Sequence, residues 1–166
     1  VSDEPPSITL FTVVRKKGGN CAHSGIMING SQRIMYDPAG TWWHPTVTVQ
    51  NDVHFGITPR MKAFYIDYHA RETYDVIEQR VPVSAEVAEI AIRRALAQGP
   101  SPKALCSNST SSILRDVPGF GSVSSTVFPG RLMREFRNLP GATEKLHIDG
   151  DPANNTGILL IQKGQT

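Results

Sequence analysis

The chain has 166 residues, of which 39% are hydrophobic and 19% charged, and its formal net charge is +2 at pH 7. This length suits one domain with a substantial core, and the composition excludes both a disordered chain and a membrane protein. The near-balanced charge, with basic residues spread along the chain, argues against nucleic-acid binding.

The N-terminal residues and the cysteines give the first expectations about organisation. Residues 1–9 are poor in apolar side chains and include two adjacent prolines, so we predict an N-terminal arm followed by a single domain over residues 10–166. The chain begins with Val1 rather than Met, which we interpret as a processed N-terminus. Apolar runs are no longer than a strand, so no membrane span is expected. The two cysteines, Cys21 and Cys106, permit one disulfide.

Runs of β-branched and aromatic residues predict six strands. The Asn-Gly pair at Asn29 and Gly30 lies between two such runs and predicts a hairpin. Residues 37–54 show no period and are predicted to form a long loop over the open end of this hairpin, as functional loops often do. The six strands are Leu10–Val14, Ala22–Asn29, Arg33–Tyr36, Ala63–His69, Thr73–Val81 and Gly157–Lys163.

Three helices are predicted in the second half of the chain. Ser84 is a good N-cap for an amphipathic segment that stops at Gly99. A second helix is expected over Cys106–Arg115, and a third begins at Pro129, a favourable first helical residue, and runs to Asn138. Together these elements predict an α+β domain, with an antiparallel sheet and its helices packed on one side.

Cys106 is the candidate nucleophile. A thiol attacks as thiolate, and both a helix N-terminus and a neighbouring imidazole lower the pKa of a cysteine. Cys106 is placed at the start of its predicted helix, where unpaired backbone amides would also stabilise an oxyanion. The small polar residues that follow, Ser107 and Asn108, leave room for a substrate and are candidate binding residues.

His23 is the candidate base. It has the opposite parity to Ile26 and Ile28 on its strand, so it points away from their face, and Cys21 is expected to share the face of His23. A third group should orient the imidazole. Depending on the hairpin loop length, either Tyr36 or Asp37 lies opposite His23. Asp37 is preferred because a carboxylate stabilises imidazolium, and His44 is a further alternative.

The order of these motifs resembles a known family. A strand opening with His-Ser-Gly-Ile at His23, a neighbouring strand ending in Tyr-Asp-Pro-Ala-Gly at Tyr36, and a later Cys106 at a helix start are similar to the circularly permuted branch of the NlpC-type papain-like hydrolases. The resemblance implies a permuted papain-like fold and a thiol-dependent amide, peptide or ester hydrolase without a cofactor. Carried onto this chain, it marks Cys106 as nucleophile, His23 as base and the Asp37 strand as the source of the third group.

The same resemblance implies a substrate and a location. Many members of that superfamily cleave peptide bonds of peptidoglycan, and others act on further peptide or acyl bonds. Peptidoglycan peptides are therefore the expected partner, and a trimmed N-terminus fits a periplasmic or secreted protein, including a secreted toxin. Independently of the resemblance, Trp42 and Trp43 are interpreted either as anchors of their loop or as a paired-indole rim that would suit a glycan-bearing substrate.

The sequence also bears on a metal site and on a non-catalytic function. No pair among His44, His54 and His69 has the close spacing of a zinc motif, so no metal site is predicted. The rival to an enzyme is a non-catalytic exported binding or immunity-type module, held by a disulfide between Cys21 and Cys106.

Overall fold

The computed structural model describes residues 3–102 and 105–150. Within them the chain forms one seven-stranded antiparallel sheet and four helices, which confirms the predicted α+β class. The strands are β1 (Ser7–Arg15), β2 (Cys21–Asn29), β3 (Arg33–Tyr36), β4 (Val49–Gln50), β5 (Val53–Phe55), β6 (Tyr74–Pro82) and β7 (Thr143–His147). Across the sheet they lie in the order β4-β5-β3-β2-β1-β6-β7.

The helices are α1 (Pro59–His69), α2 (Ala85–Gln98), α3 (Cys106–Arg115) and α4 (Pro129–Arg137). The Ser84 hydroxyl caps α2 by accepting a hydrogen bond from the amide of Val87, and Gly99 ends that helix with a positive φ of 74°. The predicted limits of α2 and α3, the start of α4 at Pro129, and the β2–β3 hairpin are confirmed.

The two faces of the sheet bury different cores because successive side chains of a strand point to opposite faces. One face carries Ile8, Leu10, Ile26 and Ile28, which pack against α2, α3 and α4. The other carries Phe11, Val13, Met27 and Met35, which pack against Tyr65 and Tyr68 of α1. The prediction that all helices lie on one side is therefore wrong, since α1 covers the face opposite to the other three.

The predicted strand at Ala63–His69 is also wrong, because these residues form most of α1. Its tyrosines and isoleucine favour a strand locally, but Thr58 caps a helix and Pro59 starts one. Tyr65 and Tyr68 then fall on one helical face, where both are buried against the sheet. Tertiary packing outweighs intrinsic propensity here.

Other boundaries differ from the predictions. β1 begins at Ser7, inside the predicted arm, and Asn29 donates hydrogen bonds of 3.0 Å to the carbonyls of Glu4 and Pro5, tying that arm to the β2–β3 hairpin. The predicted loop over residues 37–54 contains β4 and the start of β5. The predicted strand Gly157–Lys163 lies outside the described residues. In residues 3–102 and 105–150 no helix has the length and apolarity needed to cross a bilayer.

Candidate active site

The structure places Cys106 at the first residue of α3, which packs against β2. Ile113 and Leu114, both fully buried, anchor the far end of this helix in the core, and each such side chain contributes about 1.5–3 kcal/mol by burial. The N-cap residue Leu105 makes no side-chain cap hydrogen bond. The first-turn amides are thus left without a side-chain cap, next to a thiol that keeps 8% of its exposure.

A β-bulge in β2 positions His23. Val13 pairs with His23 but the next residue, Val14, pairs with Cys21, so Ala22 is the extra residue. A bulge re-aims the side chains around it and reverses the face of the residues beyond it. His23 therefore points to the α1 face of the sheet, as its parity relative to Ile26 predicts.

The same bulge turns Cys21 to the other face, so the expectation that Cys21 shares the face of His23 is wrong. A β-carbon placed on Gly130 of α4 would lie 3.4 Å from the Cys21 sulfur, which locates this thiol beside α4. Burial raises the pKa of Cys21, with a smaller opposing effect from Arg134. Both Cys21 and Cys106 are free thiols in the structure.

Asp37 is the group that orients His23. Nε2 of His23 lies 2.5 Å from Oδ1 of the fully buried Asp37 carboxylate. Neither register considered from the sequence occurs: Ile26 pairs with Tyr36, which places Asp37 diagonally across from His23 on the same face. The hairpin turn has three residues between the paired Asn29 and Arg33, one more than a tight two-residue turn.

The two alternatives for the third residue are excluded by position. Tyr36 points to the opposite face of β3 from Asp37 and packs in the core beneath α2, α3 and α4. His44 is buried elsewhere, where its Nδ1 bonds the Thr46 hydroxyl at 2.9 Å and its ring lies 5.9 Å from that of Phe64. Neither side chain bonds the imidazole of His23.

The charges of this cluster favour an ion pair. Burial alone would lower the pKa of His23, but the charge and hydrogen bond of Asp37, together with Cys106, raise it from 6.5 to about 10. Burial likewise opposes ionisation of Asp37, yet His23 lowers its pKa to about 2. These directions describe an imidazolium held by a carboxylate.

Cys106 is the second polar neighbour of His23. Burial raises the pKa of its thiol, but hydrogen bonding and charge interaction with His23, together with the backbone amide of Ser24 and the hydroxyl of Ser107, bring it below the ordinary value of 9.0. Because Nε2 of His23 faces Asp37, its Nδ1 is the nitrogen left for the sulfur. The arrangement therefore favours a thiolate beside an imidazolium.

Two glycines and a tyrosine surround the carboxylate of Asp37. Tyr65 of α1 donates a hydrogen bond of 3.0 Å to Oδ1 of Asp37. A β-carbon at position 40 would overlap Oδ2 of Asp37, and one at position 25 would lie 2.6 Å from the Tyr65 hydroxyl. Gly25 and Gly40 thus leave the space in which the carboxylate and the phenol sit.

The predicted substrate-binding residues divide into two pairs. Trp42 is 2% exposed and packs against Tyr65, and Ser107 is fully buried with its hydroxyl 3.0 Å from that of Ser24. Both side chains are therefore buried in packing contacts and present almost no surface to a substrate. Trp43, 37% exposed, and the half-buried Asn108 remain accessible.

A cavity of about 250 Å³ lies beside His23 on the α1 side. Its walls include Ala39, Gly40, Thr41, Tyr68 and His69. The His23 side chain is 17% exposed, so the site is reached from solvent rather than sealed in the core. A cavity of this size accommodates a small group of a substrate.

His69 and Tyr65 are site residues that sequence reasoning missed. The His69 ring is stacked on that of His23, with centroids 5.8 Å apart and planes 5° apart, and its Nδ1 donates a 2.8 Å hydrogen bond to the carbonyl of Tyr65. Burial lowers the pKa of His69 to about 4. Their four-residue spacing places both on one face of a helix, and the prediction of a strand for this segment conceals that signal.

The site was also compared with known proteins. No protein-family description matches the chain. No curated protein and no solved structure resembles it significantly.

Proposed function

We propose that this protein is a cysteine-dependent hydrolase of amide or peptide bonds, with Cys106 as nucleophile, His23 as acid and base, and Asp37 as the group that orients His23. The observation that supports this most strongly is that the His23 imidazole of β2 contacts both Cys106, the first residue of α3, and Asp37, which directly follows β3. A thiol with a lowered pKa, next to an imidazole that is itself held by a buried carboxylate, is the arrangement that nucleophilic catalysis requires.

The reaction begins with attack of the Cys106 thiolate on the substrate carbonyl carbon. The carbonyl π electrons move to oxygen, where the first-turn amides of α3 stabilise the charge. His23 then gives its proton to the leaving amine as the carbon–nitrogen bond breaks, which leaves a thioester on Cys106. His23, now neutral, takes a proton from a water molecule whose oxygen attacks the thioester, and the thiolate leaves with release of the acid.

The finer assignment rests on the sequence resemblance. A permuted papain-like arrangement agrees with the order His23 before Cys106, and with a helix start that supplies the thiol to a strand-borne imidazole. Peptidoglycan peptides are the proposed substrate, in a periplasmic or secreted setting, and the proposed mechanism needs no cofactor. The exposed Trp43 remains available to contact a glycan-bearing substrate.

Digestion of purified peptidoglycan tests the substrate. The wild-type protein should release soluble fragments with new amino termini, whereas Cys106→Ala should release none. Cys21→Ala is the matched control, since that thiol faces α4, and it should retain wild-type activity. Equal release by the wild type and Cys106→Ala, or none by either, would remove peptidoglycan as the substrate.

Thiol titration tests the rival binding module. Without reductant the native protein should react at both Cys21 and Cys106, because both thiols are free and the bulge at Ala22 separates their faces. A protein with no titratable thiol until reduction would instead support the disulfide-bridged module.

A further inference from the structure

The proposed base and two of its neighbours form a cluster of side chains that commonly bind metals. His23, Asp37 and His69 each present one ligand atom, and these three atoms lie within 4.8 Å of one another. His23 belongs to β2, Asp37 follows directly after β3, and His69 ends α1, so no short sequence motif contains all three. Imidazole nitrogen and carboxylate oxygen are donors that Zn²⁺ binds well.

Two features of the cluster point to a ligand beyond the proton shared by His23 and Asp37. Asp37 Oδ2 is buried and has no hydrogen-bond donor among the residues that the structure describes, although buried carboxylate oxygens are normally satisfied. The second feature is the ring orientation of His69. Its Nδ1 must be the protonated nitrogen because a carbonyl oxygen accepts the hydrogen bond, which leaves Nε2 as the potential ligand.

This orientation of His69 is the one found at metal centres. A ligating histidine usually donates its other N–H to a backbone carbonyl or a carboxylate, which fixes its tautomer and ring position. The cavity beside the cluster is lined by His23, Gly40 and His69, so an ion has access and a solvent molecule could complete its coordination.

We propose that His23, Asp37 and His69 bind a divalent transition metal of Zn²⁺ type, which inhibits the enzyme by replacing the proton between His23 and Asp37. Nε2 of His23 would then hold the metal, and the proton on Nδ1 would remain. Such an imidazole cannot accept a proton from the Cys106 thiol, and Asp37 no longer orients it. The inhibition rests on the proposed hydrolase function, whereas the metal site does not.

Metal binding is tested on the 166-residue chain that carries both Cys21→Ala and Cys106→Ala. In this thiol-free chain no thiolate can act as a ligand. Calorimetry should show one Zn²⁺ per chain, and Co²⁺ should give visible d–d absorption. In the chain that retains Cys106, the Co²⁺ spectrum should still lack a thiolate charge-transfer band. No Zn²⁺ binding by the thiol-free chain would overturn the proposal.

Substitution of His69 tests the ligand set. Loss of an outer-shell partner commonly lowers metal affinity by about 10–100-fold, so loss of a direct ligand in His69→Gln should cost at least that much. His44→Gln is the matched control, since His44 is also buried but bonds Thr46, and it should bind Zn²⁺ like the parent chain. Equal affinity of His69→Gln and the parent chain would contradict the assignment.

A measurement without substitutions of the ligands keeps the test independent of folding defects. In long-range ¹H–¹⁵N NMR spectra of the thiol-free chain, Zn²⁺ should shift the ring signals of His23 and His69 and leave those of His44 unchanged. Shifts confined to other histidines would refute the site.

For the inhibitory step, Zn²⁺ should stop peptidoglycan hydrolysis by the wild type and a chelator should restore it. Zn²⁺ binding without any peptidoglycan hydrolysis would remove peptidoglycan as the substrate but retain the metal site. Hydrolysis that is unaffected by saturating Zn²⁺ would reject the inhibition.

Discussion

Replacing Asp37 by Asn keeps the shape of the side chain and removes its charge. The carboxylate is the main reason that the pKa of His23 rises from 6.5 to about 10 despite burial. At about 1.36 kcal/mol per pKa unit, this elevation corresponds to a stabilisation of the imidazolium on the order of 5 kcal/mol. In Asp37→Asn the burial of His23 is no longer opposed by a carboxylate, so the pKa should fall to the ordinary 6.5 or below.

The consequence for catalysis follows from the same interaction. The stabilisation of the imidazolium, on the order of 5 kcal/mol, is the most that loss of this carboxylate can remove from catalysis, and each 1.36 kcal/mol of lost transition-state stabilisation is about tenfold in rate. We therefore expect kcat/KM of Asp37→Asn to fall by about 10²–10⁴-fold, with most of the loss in kcat.

The assay has two parts. The pKa of His23 is measured by NMR titration of its ring signals in the wild type and in Asp37→Asn, and turnover is measured on peptidoglycan fragments. Near-UV circular dichroism checks that the variant is folded. A raised His23 pKa that persists in Asp37→Asn, or activity within about threefold of the wild type, would refute the role of this carboxylate.

Three further predictions concern the same cluster. The ion pair raises the pKa of His23 to about 10 and lowers that of Asp37 to about 2, so it stabilises the fold fully between the unfolded-state pKa values of about 4 and 6.5. This stabilisation is lost as pH rises through 10 or falls through 2. Unfolding free energies of the wild type and Asp37→Asn should therefore differ most between about pH 4 and 6.5, and a constant difference across pH would contradict this. Gly40→Ala should reduce activity at least about tenfold, because the added methyl group displaces the Asp37 carboxylate. Gly121→Ala is the control: position 121 has open space around it, so this variant should match the wild type in activity and thermal melting. Tyr65→Phe removes a hydrogen bond to the buried Asp37 carboxylate that is worth about 1.5–3 kcal/mol, so the unfolding free energy at neutral pH should fall by about that amount. Equal stability of the variant and the wild type would make Tyr65 a packing residue only.

Much of the fold and of the proposed site was predictable from local signals. Ser84 and Gly99 mark the ends of α2, because helix caps depend on a few adjacent residues. The Asn-Gly pair at Asn29 likewise marks the β2–β3 hairpin, although not the length of its turn. The parity of His23 relative to Ile26 predicted its face, since a strand has a period of two. The start of α3 at Cys106 is consistent with Pro102 upstream of it and with Pro118 and Gly119 downstream, because proline and glycine limit helices.

The parts that were not predictable depend on contacts between distant segments. An extra residue at Ala22 reverses the face of Cys21, and a three-residue turn sets the diagonal approach of Asp37 to His23, yet neither leaves a distinct sequence signal. Local β propensity also concealed α1, and with it the stacking of His69 on His23. The packing of α1 against Phe11 and Met27 favours a helix over a strand in this segment. Such packing depends on the whole fold and not on the local sequence.

In the proposed site His23 keeps Cys106 ionised, and the pH dependence of alkylation of this thiol by iodoacetamide tests that role without knowledge of the substrate. In a Cys21→Ala background, the midpoint for Cys106 should lie below the ordinary thiol value of 9.0. In the same background with His23→Gln, the midpoint should rise, because the raising effect of burial is then opposed only by the hydrogen bonds of the Ser24 amide and the Ser107 hydroxyl. Equal midpoints in the two proteins would contradict the proposed thiolate–imidazolium pair.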